Sequence, residues 1–455
     1  MTTTTHAADT VTIDVFLAAV PVTAAALGVV LFGVDKATNS LNSQRVVTYT
    51  STADALTDKT AGFISANTYA EIQTAFAQEP APTAVKVGNC DRVQVAASKT
   101  SWPGSGNKYL GHLTAVTAGQ DGNNITLTMV SDTTESIAVA GTAITVHFNH
   151  GVSTTTTINT LINGYGAAAA LVTASNNDAT ALDATAAFSA TNLTGGSGET
   201  WAEGYAAWVA ADPAFYGVCI NERTDASITS IAGALTGTLQ LGMFQSADAG
   251  LLTNTFPAGL STLQTNEDVA LIYHDTATVW ADGGYAVAGL AVDPNTQSGS
   301  WMIPVASVAG LATGITASQL AFLFANNTNV GLGLGTAAFF VKNGVTCTGR
   351  PIYEKITKDW LTVTLQSTLI NLFVQLGSLH QKLGLDKTGQ AQCKAAISGV
   401  FQTAESAGHI EPGWTVTAET ITSTDIANKQ LRFTVQAIFL NAARSMAVNV
   451  YLSES

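Results

Sequence analysis

Hydrophobic and polar positions change rhythm three times along this chain. At the start, Val11, Ile13, Val15 and Leu17 alternate with Thr12 and Asp14, the two-residue period of a strand. An uncharged run then continues through Pro21 to Val34, which predicts two strands joined around that proline. In AEIQTAFAQEP, Ile72, Ala75, Phe76 and Glu79 fall at helical spacings, and Pro80 and Pro82 stop the helix. AVKVGNC follows as a short buried strand.

Between about Val93 and Gly198, Thr, Ala, Asn and Gly dominate. Alternating strands recur at HLTAV, NNITLTMV, AITVHFN and ALVTAS, separated by the turn signals GQDGNN and AGTA. One helix is predicted at TTTTINTLINGYG, and the Gly/Ser-rich NLTGGSGE closes the segment as a linker would.

From Trp201 the pattern alternates helix and strand: WAEGYAAWVAADP, FYGVCIN, ITSIAGAL, LQLGMFQS, LSTLQTNE, VALIYHD, and a helix from Trp280 to Leu290. Continuously hydrophobic strands between helices predict a parallel sheet covered on both faces. In the last third, Trp360, Val363, Leu369, Leu372, Phe373, Leu376, Leu379 and Leu383 describe one long amphipathic helix. A second helix, QAQCKAAISGVFQTAESAG, precedes the strands WTVTAE, LRFTVQAIFLN and SMAVNVYLS, the last with Met446, Val448, Val450 and Leu452 on one face. The expected fold is α+β and multidomain. Residues 1–30 are a strand arm and the start of the core. Residues 31–93 and 200–344 form an α/β domain, 94–199 an inserted β-rich outer domain, and 345–455 a C-terminal α+β domain ending in a second arm.

Composition narrows the function. Only 11% of the 455 residues are charged, against roughly 25% in ordinary soluble chains. Such a surface suits a chain that covers itself with copies of itself, because interface centres are depleted in charge. Strands at both ends supply open edges for that pairing. The net charge of −14, without any Lys/Arg run, argues against nucleic acid and against direct membrane association. The uncharged stretch Val15–Val34 has the length of a membrane span, but no basic region precedes it and Pro21 and Thr23 interrupt it. Cys90, Cys219, Cys347 and Cys393 form no CxxC pair, so reduced thiols are expected.

Candidate chemistry is sparse. No GxSxG elbow occurs, and Ser105 and Ser197 sit in GSG linkers. GLGLGT at 331–336 lacks the GxGxxG spacing of a dinucleotide loop. His147 and His150, three apart, would face opposite sides of a strand, so they read as ordinary polar side chains at the surface. Asp282, Asp293 and Glu267 read as helix-cap or turn carboxylates. No catalytic, cofactor or metal site is predicted.

The order of elements resembles a known family. An α/β domain leads through AAFFVKNGVTCTGRPIYEKITKDWL to the long helix, the second helix, WTVTAETIT and a closing strand pair. The opening VTIDVFLAAVPVTAAALGVVLFGVD and the passage TAFAQEPAPTAVKVG, with Gln78, Pro80 and Pro82, strengthen the likeness. Together these resemble the contractile phage tail sheath proteins, in particular a compact sheath-like family. GQDGNNITLT and ATNLTGGSG resemble the variable outer domain of many sheaths. The resemblance implies a virion protein assembled in the host cytoplasm. Its hexameric rings would stack helically around a tail tube, with baseplate and tail terminator proteins as further partners. Contraction without nucleotide hydrolysis would drive the tube through the host envelope. It also implies that Val11, Ile13, Val15 and Leu17, with Met446, Val448, Val450 and Leu452, are the inter-subunit strand arms. Two alternatives stay open: another phage tail or baseplate component, or a host-receptor-binding module in the insertion, where Trp102, Tyr109, Phe148, Tyr165 and Phe188 are the aromatics available.

Overall fold

The computed structural model describes residues 24–35, 44–92, 95–308, 310–312, 314–334 and 337–441. Two compact units emerge. One holds the described residues up to Asn89 and from Tyr205 onward; the other is Cys90–Gly204.

The first unit begins with a 3-10 turn, Ala24–Gly28, and β1, Val30–Asp35, whose first five residues are buried. β2 (Val46–Tyr49) leads to helices α1 (Thr52–Thr60) and α2 (Ala66–Phe76) and to β3 (Val85–Cys90). The hydroxyls of Ser51 and Ser65 cap the two helices, accepting from the amides of Asp54 and Thr68. Repeated Ser and Thr caps are one use this charge-poor chain makes of its hydroxyls.

The second unit carries β4 (Ser98–Lys99), β5 (His112–Ala115), β6 (Thr126–Asp132), β7 (Ser136–Ala140), β8 (Ala143–Asn149), helices α3 (Thr155–Gly164) and α4 (Gly166–Ala169), then β9 (Val172–Ser175) and β10 (Phe188–Asn192). Four strands form one sheet in the order β10-β6-β8-β7, and three form another, β4-β5-β9. β6 and β8 run parallel although only the hairpin strand β7 separates them in sequence. The alternation read from the sequence decides which side chains go inward. Leu127 and Met129 on β6 and Ile144, Val146 and Phe148 on β8 enter one core with Ile158 and Ile162 of α3. Asp91 and Glu199 are joined backbone to backbone, so this unit's two chain ends lie side by side.

Helix α5 (Trp201–Ala211) returns the chain to the first unit, which continues through β11 (Gly217–Ile220), α6 (Asp225–Leu235), β12 (Leu241–Ser246), β13 (Val269–Tyr273), α7 (Ala281–Leu290), α8 (Ala317–Ala325), β14 (Thr328–Leu334) and β15 (Ala337–Lys342). The eight strands lie in the order β15-β14-β13-β12-β11-β1-β3-β2. From β1 through β11, β12 and β13 to β14 neighbours are parallel; β15 and β2 are antiparallel edges. The predicted parallel sheet is therefore present. The helix expected at LSTLQTNE is a 3-10 segment, Ala258–Thr265. GLGLGT belongs to β14 up to Leu334, inside a sheet rather than in a phosphate-cradling turn.

Every residue of α7 is buried, which explains its sequence ADGGYAVAGL. A side chain at Gly283 would press on Phe32, and one at Gly289 on Trp301. Small residues thus let α7 lie close to the sheet on one side and to Trp301 on the other. Gly33 and Gly88, on strands β1 and β3, likewise leave room for the Trp208 indole, whose N–H donates to the Asn89 carbonyl at 2.9 Å.

The long amphipathic helix is α9, Ile352–Ser378, and α10 (Lys387–Ser406) packs against it. Then come β16 (Thr415–Ala418), α11 (Ser423–Asn428) and β17 (Phe433–Gln436). β16 and β17 form a two-stranded antiparallel ribbon. Residues 345–441 share the first unit with the eight-stranded sheet, and Trp360, Leu361, Phe401 and Val416 belong to the same apolar core as Phe32 and Val87.

Candidate functional site

In an open parallel sheet, chemistry gathers at the carboxyl ends of the strands. Here that edge carries several ionisable groups. Arg223, just after β11, binds Asp282 at the start of α7 through both terminal nitrogens, one contact measuring 2.9 Å, and donates to the Ile220 carbonyl at 2.6 Å. The Asp282 carboxylate also accepts from the Gln245 amide at 3.3 Å. Asp282 is therefore a buried ion-pair partner, not the simple cap or turn residue expected from sequence. Asp225 and Asp248 lie side by side; burial, then the neighbouring Asp248 carboxyl, push Asp225 up to about 6. His274 is buried, its Nδ1 accepting from the Thr276 amide at 3.1 Å, and burial holds its pKa below the usual histidine value.

A second set anchors α9. Lys355 Nζ lies 2.7 Å from Asp268 and 2.9 Å from Asp359, and it donates to the Thr238 carbonyl at 3.2 Å. The Tyr216 hydroxyl donates to Asp359 at 2.7 Å. Burial works against the ammonium, yet Asp359 and Asp268 together hold its pKa above the ordinary lysine value. Burial pushes Asp359 up to about 6 despite Lys355. The set spans α9 and the segments before β11, β12 and β13, so it fixes the long helix to the sheet. Glu267 lies in a turn, as expected, and from there pairs with Lys358 at 2.8 Å and Arg350 at 3.2 Å. Asp293 behaves as expected, accepting from the Asn295 amide at 2.9 Å.

His409 is held between Thr357, 2.7 Å from Nδ1, and the Pro294 carbonyl, 2.7 Å from Nε2. A carbonyl only accepts, so Nε2 carries the proton and Nδ1 accepts from the threonine hydroxyl. The ring stacks on Trp360 at 4.9 Å. Beside it lies a cavity of about 20 Å³ lined by Leu27, Pro294, Trp301 and Tyr353, room for one water rather than for a substrate.

The eight residues expected to form strand arms, Val11, Ile13, Val15, Leu17, Met446, Val448, Val450 and Leu452, lie outside the described residues. The chain bordering the second arm is described. Pairing of the β16–β17 ribbon extends beyond its strands: the Glu411 amide donates to the Ile438 carbonyl at 2.8 Å and the Leu440 amide to the His409 carbonyl at 3.1 Å. Among the described residues no third strand joins it. A two-stranded ribbon is marginal by itself, and each free edge is a place for another strand. Ile438 and Leu440 are half exposed on it. The last turns of α9 also leave some apolar side chains uncovered: Phe373 is 42% exposed, Val374 64% and the adjoining Leu379 59%, although Leu376 is buried. Sequence periodicity assigned Phe373 and Leu379 to the helix face without distinguishing covered from uncovered turns.

The remaining sequence candidates are structural. His147 meets Asp132 at 3.1 Å and His150 meets Ser131 at 3.3 Å, all on the surface. The four cysteines are buried and none is in a disulfide. Of the insertion's aromatics, Trp102, Tyr109, Phe148 and Phe188 are core residues, and Tyr165 is exposed. No helix among the described residues is long and apolar enough to cross a membrane.

No protein-family model matches the sequence. No curated protein matches it either. Solved structures do. The helical sheath of the anti-feeding prophage, in its contracted state, is 10% identical with a TM-score of 0.50, and the match covers 100% of both chains. A sheath tail protein from Listeria innocua is 12% identical over 90% of this chain and 95% of its own, TM-score 0.45. The sheath of an extracellular contractile injection system is 10% identical over 98% and 96%, TM-score 0.45. The chain has the fold of a contractile sheath subunit.

Proposed function

We propose that this protein is the structural subunit of a contractile sheath, polymerising as stacked hexameric rings around an inner tube. The observation that carries the reading is the end-to-end match to the anti-feeding prophage sheath, which leaves no part of either chain uncovered. The ribbon edges at β16 and β17 support strand exchange between subunits, with residues 11–17 and 446–452 as the strands donated. Ladder hydrogen bonds of that kind persist while rigid bodies rotate, so subunits stay linked as weaker polar contacts between rings exchange. The exposed apolar side chains at the end of α9, Phe373, Val374 and the adjoining Leu379, support a protein partner there, a neighbouring subunit or the tube. The sheath acts without catalysis, and contraction releases energy stored in the extended lattice. The partners are its own copies, the tube, the baseplate and a terminator, in a particle assembled in the host cytoplasm. The tube is driven through the host envelope.

Negative-stain microscopy of the purified protein, beside a copy lacking residues 1–20 and 442–455, tests this. Hollow tubes or stacked six-fold rings lost on truncation are expected. Discrete monomers from both, even with tube and baseplate added, would overturn the polymer.

A further inference from the structure

Glu71, on α2, is completely buried, and neither carboxyl oxygen has a hydrogen-bond partner. It lies over the first turn of α7, where a side chain built at Gly283 would meet its Oε1 at 3.5 Å. Two acids and one base share this part of the core. Arg223 is committed to Asp282, donates to the Ile220 carbonyl and stands over the Trp280 ring at 5.4 Å. The one nearby cation is therefore already paired, and an ionised Glu71 would add an uncompensated negative charge in an apolar setting.

Every neighbouring element has the same bearing on it. From α7 comes Asp282, from the segment after β11 Arg223, and from β11 the buried Cys219 thiol, itself pushed up by burial and then by Asp282 and Glu71. β1 presents Phe32. On α1, Asp58 is engaged by the Tyr49 hydroxyl, Asp54 by Ser51, and Lys59 stands over Tyr69. The segment beyond α7 offers Val305 and Ala306, the latter tied to Gln78 by two hydrogen bonds of 2.8 and 2.9 Å. None of these supplies a free cation.

We propose that Glu71 is a proton-held latch: α2 sits closed on α7 while the carboxyl is neutral, and losing that proton favours local opening of α2. Burial first, then the Asp282 charge, raise its pKa from 4.5 to about 8, with Arg223 acting the other way. In the opened state the carboxyl regains its ordinary value. The closed state therefore binds the extra proton between pH 4.5 and about 8, and closure weakens as pH rises through that window before levelling off. The latch belongs to the single subunit and stands apart from the sheath reading.

Hydrogen exchange of the α2 segment 66–76, corrected for intrinsic rates, tests it in the intact chain and in Glu71→Gln. In the wild-type protein the opening constant should rise on the order of fiftyfold from pH 6 to pH 8 relative to the variant, since one linked proton gives up to about tenfold per pH unit. β12 and β13 should keep equal protection in both. Parallel pH profiles in the two proteins would overturn the latch. Should Glu71→Gln fail to fold, infrared difference spectra of the wild-type chain with isotope-labelled glutamate decide: a protonated-carboxyl stretch present at pH 6 and lost by pH 9 supports it, and its absence at pH 6 refutes it.

Discussion

Asn159 in the insertion and Lys355 in the α/β unit each tie a helix to its surroundings, by different chemistry. Asn159 is neutral: its carbonyl accepts from the Tyr109 hydroxyl at 2.6 Å, and its amide nitrogen donates to the Ser175 carbonyl and to Asn177, each at 3.0 Å. Lys355 is an ammonium between two buried carboxylates. The contrast is general among the described residues. Glu71, Lys86, Asp268, Asp282, Lys355, Asp359 and Asp425 are buried in the α/β unit, against Glu199 in the insertion. The larger unit can bury ions because a parallel sheet with helices on both faces has a deep interior. The insertion meets most of its buried polar needs with amides and hydroxyls. Stability of the first unit should therefore respond more strongly to pH and to charge deletion than that of the second, whose one buried carboxylate among the described residues is Glu199.

The largest break in that contrast is Lys355→Met, which leaves Asp268 and Asp359 without their cation. Removing one partner of a buried ionic set costs about 3–5 kcal/mol. Denaturant unfolding should show the loss in the α/β unit, with the insertion's transition unmoved. Asn159→Leu comes next: it strands the buried Tyr109 hydroxyl at roughly 1–3 kcal/mol. The insertion's own melting should report it, with no dependence on pH.

A smaller effect separates the units through His409. Burial lowers its pKa below 6.5, with the Pro294 hydrogen bond opposing. The neutral ring's contribution is complete above pH 6.5 and declines as pH falls through the depressed value, because the unfolded chain takes up the proton first. The stability gap between wild type and His409→Gln should narrow from pH 7 to pH 5. A constant gap would place the ring outside the linkage. The mildest test is excision of residues 90–204 behind a short Gly/Ser bridge. Because Asp91 and Glu199 are hydrogen-bonded neighbours, little chain is needed to close the gap. The remaining unit should keep its cooperative unfolding and its assembly, and residues 90–204 alone should fold around their own core.

Periodicity carried much of the architecture. The strands through Leu127, Ile144, Val218, Met243 and Ile272, and the helices around Ile228 and Val363, follow from alternation or helical spacing, because burial on one face or both leaves its mark locally. Weakly patterned segments were missed: α1 with its Asp, Lys and Thr, α8 before the Asn326-Asn327 turn, and the Gly-interrupted β14. The exposed end of α9 could not be told from its buried end, since both repeat the same apolar spacing. The buried charges were the least legible. Arg223 and Asp282 lie 59 residues apart, and Tyr216 and Asp359 lie 143 apart. In sequence each is an isolated polar residue, and the folded chain alone brings the partners together.

Local pattern and element order were enough for most of the strands and helices, the β-rich insertion, the poverty of charge and the likeness to sheath proteins. The tertiary structure decided the order of strands in the sheet, the ion pairs within the α/β interior, the unpartnered Glu71, and which apolar faces are left uncovered. Those depend on contacts between segments far apart in the chain, where the energy of a side chain is set by what the fold places against it.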